Sequence, residues 1–134
     1  MSIINDLRDG LANNLATIPG LRVASELIDN PSPPVALVAL ESVEYDQAYQ
    51  NGLTLYGFTI TVIVGRVAER TAQRKLDGYM QPSGEQSVKI AVESDRTLSG
   101  SAQDIRVVSA GSVGSIQVND QTYLAAEFTV TVYA

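Results

Sequence analysis

The sequence contains no histidine and no cysteine, and these two absences remove most of the chemistry on which a small enzyme depends. Without histidine the chain lacks the commonest general base near neutral pH, the commonest metal ligand and any serine-histidine triad. Without cysteine it has no thiol nucleophile, no disulfide framework and no thiolate metal site. Basic residues are few, nine against fifteen acidic ones, for a formal net charge of −6. That field repels a polyanion over long range and argues against tight nucleic-acid binding. No apolar run approaches the ~18 residues of a membrane span, and Met1 to Gly20 carries acidic residues in place of a continuous apolar signal core. The expectation is a soluble protein made in the cytoplasm, with no membrane partner.

What is present fits one folded domain spanning residues 1–134. The length is common for a single core, and at 45% hydrophobic and 18% charged residues the chain is too apolar for disorder. Ile3, Leu7, Leu11, Leu15 and Ile18 repeat at helical spacing, with Ser2 as N-cap and Pro19-Gly20 as the stop. Gly10 within this helix costs about 1 kcal/mol relative to alanine, so the helix depends on packing. Leu21 to Ser25 reads as a short strand. The prolines of Asn30 to Pro34 then force a turn, and Val35 to Leu40 reads as a strand covered on both faces.

Leu53 to Val64 alternates cleanly, with Tyr56, Phe58, Ile60, Val62 and Val64 on one side. A helical period over Val67 to Met80 ends at Pro82. Ser83-Gly84-Glu85-Gln86 has the pattern of a capping box opening a second helix, which buries Val88, Ala91 and Val92. Ile105 to Ser109 and Val113 to Val118 read as two strands with a glycine turn between them. Asn119-Asp120 fits a two-residue hairpin turn before a final strand with Leu124, Ala126, Phe128, Val130 and Val132 inward. The order predicts an α+β fold: an antiparallel or mixed sheet with helices packed mainly on one face.

Two groups of residues are candidates for function. Glu41 to Gly52 reads as a long hairpin loop carrying Glu41, Glu44 and Asp46 with Tyr45 and Tyr49 interleaved. Paired acids can serve glycosidases or hold divalent cations, but the spacing matches no calcium loop, and a solvated acidic loop is the default. Arg66, Arg70 and Arg74 read as a basic stripe, by default a wet helix face and otherwise a contact for an acidic partner. Gly111-Ser112-Val113-Gly114-Ser115 lacks the lysine and helix N-terminus of a phosphate loop. No cofactor site, metal site or catalytic residue is expected, and the chain is not expected to be an enzyme.

Read in order, Leu7 to Val23, the proline connector, Tyr45-Asp46-Gln47-Ala48, Val64-Gly65-Arg66, Ala72-Gln73-Arg74-Lys75-Leu76-Asp77, Gly84 with Ser87-Val88-Lys89, and Tyr123-Leu124-Ala125-Ala126-Glu127-Phe128 resemble the tail terminator proteins of long, non-contractile-tailed phages, especially those infecting actinobacteria. The likeness covers nearly the whole chain. It implies a virion protein that forms a hexameric ring on the last ring of the tail tube. That ring stops tube polymerisation and presents the surface that joins the DNA-filled head. The implied partners are further copies of the chain, the major tail tube protein, a head-tail connector or stopper protein, and DNA that passes without tight binding. The implied place is the head-proximal end of the virion tail, with assembly in the host cytoplasm. On that reading Glu41, Glu44, Tyr45, Asp46 and Tyr49 face the lumen or the tube, and Arg66, Arg70 and Arg74 meet a neighbouring subunit. Another neck protein, a small binding module and a carboxylate-only hydrolase are the alternatives; the missing histidine counts against the last.

Overall fold

The leucines of the first helix decide which side of the sheet becomes the core. The computed structural model describes residues 3–24, 34–45, 54–66, 71–98, 100, 102–118 and 121–134. Helix α1 spans Ile3–Leu15, and its stripe of Leu7, Leu11 and Leu15 is fully buried, with Ile18 beside it. After the helix, Gly20 takes a φ of 79°, a left-handed conformation that glycine adopts without steric cost, and turns the chain into β1 (Arg22–Ala24).

Strands β2 (Val35–Glu44) and β3 (Leu55–Arg66) follow, then helices α2 (Ala72–Met80) and α3 (Val88–Glu93), and the long strands β4 (Asp104–Val118) and β5 (Gln121–Tyr133). They make one five-stranded sheet in the order β1-β2-β3-β5-β4. Strand β1 runs parallel to β2 and every other pairing is antiparallel, so the sheet is mixed and the fold is α+β. The alternating residues of β3 meet Ala126, Phe128, Val130 and Val132 of β5 in a single core that also takes the buried stripes of all three helices. Each valine, leucine, isoleucine or phenylalanine side chain removed from water contributes about 1.5–3 kcal/mol. The opposite face carries a small cluster of Val35, Ile63, Tyr123 and Ala125 without any helical residue. Among the described residues, therefore, the helices clothe one face and leave the other bare.

Four details differ from the sequence expectation. Strand β2 is buried on both faces only at its start: Ala39 is exposed, and the strand continues through Glu44 because Ser42, Val43 and Glu44 pair with Gly57, Tyr56 and Leu55. Helix α2 is described from Ala72, with residues 67–70 outside the described set, and it buries Tyr79 as well as Ala72 and Leu76. Helix α3 is capped by Ser87 and not by Ser83; the Ser87 hydroxyl accepts from the Ile90 N–H at 3.3 Å and donates to the Gln81 carbonyl at 2.5 Å. The two strands expected between Ile105 and Val118 are one strand. The glycine segment is a register shift between Gly111 and Gly114, and a second shift lies between Val107 and Ser109. Val118 pairs with Gln121, while Ser2, Asn119 and Asp120, expected as cap and turn, lie outside the described residues.

Candidate functional site

The acids expected on a loop are carried partly by a strand. Glu41 sits where the β2 register shifts between Leu40 and Ser42, and such a bulge re-aims the side chain of the extra residue. Its carboxylate accepts a hydrogen bond from the Thr59 hydroxyl of β3. Thr129, Ser109, Gly111 and Glu127 complete a shallow depression of about 260 Å³ on the bare face of the sheet. Two carboxylates thus stand among hydroxyls and no cation lines the space. Among the described residues no group of three potential ligands is placed to hold a metal ion. Glu44 ends β2, exposed, and Tyr45 beyond it is 72% exposed. Asp46 and Tyr49 lie outside the described residues.

The arginines do not form one helical stripe. Arg66 is the last residue of β3, opposite Tyr123, whereas Arg74 stands on the exposed side of α2, which begins at Ala72. The chain changes from strand to helix between them, so no single helix face carries both. Arg70 lies outside the described residues.

Sequence reasoning missed the edge formed by β4. Its first four residues are tied to α3 and to Arg96 just beyond it by a network of ion pairs. Lys89 Nζ lies 2.8 Å from Glu93 Oε2, Arg96 Nη1 lies 3.7 Å from Glu93 Oε1, and Arg96 Nε lies 2.8 Å from Asp104 Oδ1. Glu93 Oε2 also accepts the backbone N–H of Val107 at 2.9 Å, so a carboxylate takes a donor that an edge strand would otherwise offer to another chain. Burial pushes the Glu93 carboxyl up, but the hydrogen bonds from Lys89 and Val107 and the charges of Lys89 and Arg96 outweigh it and hold the group below its ordinary value. The hydrogen bond from Arg96 lowers Asp104 and raises Arg96 in turn. The spacing of Lys89, Glu93 and Arg96 at i, i+4 and i+7 was a readable signal on a helix; their meeting with Asp104 and Val107 was not.

The remaining eleven residues of β4 are different. Residues 108–118 contain no charged side chain, and Val108 and Val113, at the two register shifts, are 57% and 47% exposed. Beside this stretch a groove of about 270 Å³ is lined by Met80, Pro82, Lys89, Arg106 and Val108 among others. Arg106 is exposed and has no salt-bridge partner among the described residues.

No protein-family model matches this chain, and no curated protein matches it. Among solved structures, the chain is similar to one from the virion of a native gene transfer agent (GTA) particle, at 16% sequence identity and a TM-score of 0.39, with 99% of this chain and 92% of that chain covered. A likeness of that size assigns neither family nor function.

Proposed function

We propose that this chain is a phage virion structural protein that caps the head-proximal end of the tail tube as a ring of six copies. The ring ends tube polymerisation and offers the surface on which the head is joined. It acts through its surfaces, without catalysis or cofactor, with the major tail tube protein on one side and a connector or stopper protein on the other. The reading is supported by the resemblance of the ordered segments to tail terminators and by one structural observation. Among the described residues the sheet is clad by helices on one face only, and its two edges are unlike: β1, described over three residues, on one side and fifteen-residue β4 on the other. Unlike edges suit the heterologous contacts that close a ring, in which two different patches of the same chain meet.

In such a ring the helices turn outward and the bare face lines the passage. Glu41 and Glu127 then carry negative charge toward passing DNA and keep it from adhering. The capped start of β4 and its two register shifts deny a further strand a long regular template, as a terminating subunit requires. Tails assembled without this protein test the role: overlong tails that fail to join capsids are expected, and particles of normal length that join heads without it would rule the role out. Retention on isolated tail tubes, in preference to portal or adaptor rings, separates this role from that of another neck protein.

A further inference from the structure

The start of β4 is closed by acceptors from within the chain. In the sheet order β4 lies outermost and pairs with β5, so every second residue turns its N–H and carbonyl away from the sheet, where a further strand could bond to them. Ile105 and Val107, two residues apart, share that side. The Val107 N–H is taken by Glu93 Oε2 at 2.9 Å, and the Ile105 N–H by the carboxylate of Asp104. Arg96 fastens the two acceptors together: its Nε lies 2.8 Å from Asp104 Oδ1, its Nη2 3.4 Å from Oδ2 and its Nη1 3.7 Å from Glu93 Oε1. Lys89 Nζ holds Glu93 at 2.8 Å. The helix end that carries Glu93 is itself anchored, because the Asn14 side-chain amide on α1 donates to the carbonyls of Val92 and Asp95 on either side of it.

We propose that Glu93 is an autoinhibitory latch: its carboxylate occupies the strand-accepting side of β4 and keeps this edge from pairing with a strand of another molecule, and opening the latch turns β4 into a strand acceptor. The exchange disfavours the incoming strand. That strand would bring a peptide carbonyl to the Val107 N–H, and the charge-assisted hydrogen bond it has to displace is about twice as strong as the neutral one it offers. Its carbonyl oxygens would also approach the carboxylates of Glu93 and Asp104. Natural edges are commonly blunted by lysine, proline or a bulge. Strand β4 has its two register shifts but neither lysine nor proline, and residues 108–118 carry no charge. With Glu93 withdrawn, that uncharged stretch would begin beside an open N–H at Val107. The inference concerns one edge of the sheet and does not depend on the tail-capping role.

Glu93→Ala removes the acceptor, whereas Lys89→Ala removes an ion pair and leaves the carboxylate on Val107. With folding checked by circular dichroism, Glu93→Ala is expected to self-associate about tenfold or more tightly than the native chain in native mass spectra, with an infrared band of intermolecular strand pairing. Lys89→Ala should behave as the native chain does. Adding Val108→Lys to Glu93→Ala puts a charge on the opened edge at an exposed residue and should abolish the gain. Glu93→Asp keeps the charge but draws the carboxylate back by one methylene, and it supplies the same test should the alanine variant not fold. In either opened variant the Val107 amide should exchange its hydrogen about tenfold or more faster than in the native chain. Opened variants that associate no more than the native chain, a Lys89→Ala chain that associates as they do, a gain that Val108→Lys leaves in place, or an unchanged Val107 exchange rate would each overturn the latch.

Discussion

At Gly10 the first helix is built around a missing side chain. A Cβ placed there would stand 2.7 Å from the Cβ of Leu98 and 3.3 Å from its Cγ. Leu98 cannot easily retreat, since it is 2% exposed and holds a φ of 49°, a left-handed conformation unfavourable for a residue with a side chain. Two effects oppose each other in Gly10→Ala. Helix propensity alone favours alanine by about 1 kcal/mol, whereas forcing a methyl group into a filled site costs about 1–3 kcal/mol. The contact is with a buried Cβ and not with the end of a flexible chain, so overpacking wins. We expect Gly10→Ala to lose about 1 kcal/mol in denaturant unfolding; a more stable variant would show that the segment carrying Leu98, between α3 and β4, yields. The sequence showed that the helix, weakened by this glycine, depends on packing, and only the fold supplied Leu98 as the neighbour that fills the space. Asn14 is similar: its side-chain amide donates to the carbonyls of Val92, at 2.9 Å, and Asp95, at 3.1 Å, at the C-terminal end of α3, where carbonyls lack helical partners. The helical period already sets it, at i+7 from Leu7 and i+3 from Leu11, on the buried stripe and apart from its exposed neighbour Asn13, but its partners on α3 follow only from the fold.

Among the elements, the junction of α3 with β4 is where titration should register. The Glu93 carboxyl is held below its ordinary value of 4.5, so the folded chain binds that proton less readily than the unfolded one. The stabilisation is fully present above about pH 4.5 and drains away as pH falls through the lower folded value. Glu93→Gln should therefore be less stable than the native chain at pH 7, and the gap should shrink on acidification below about pH 4.5. An equal gap at pH 7 and pH 3 would contradict the network. Element boundaries were legible wherever one face is buried and the other wet, because burial imposes the period: the α1 leucines and the alternations of β3 and β5 are the clear cases. They were illegible where pairing overrides composition. The end of β2 looked like a loop because Glu41, Ser42 and Glu44 are polar, yet β3 lies alongside to pair with it. Strand β4 looked like two because its glycines and serines break the alternation at the bulges. Ser83 and Ser87 offer the same capping chemistry, and Ser87 takes the role directly before buried Val88. The candidate acids were visible in the sequence, but the company of Glu41, with Thr59, Thr129 and Glu127, follows from the register of three strands that are distant in the chain.

On the scale of the whole molecule, the sheet divides the chain into surfaces with different properties. Among the described residues, one face is closed by helices over an apolar core, the other is open and carries Glu41 and Glu127, and the β4 edge is tied to α3 at its start and uncharged over residues 108–118. On the proposed role, a net charge of −6 keeps copies apart in general, and association would run through the few places where acid is absent or met by a cation. Cryo-electron microscopy of tail tubes mixed with this protein tests the claim most directly. The account predicts density for one ring of six copies at a single end of the tube, with helices outward and the face bearing Glu41 and Glu127 toward the passage. Tubes whose ends stay bare, or a ring whose helices line the passage, would contradict it.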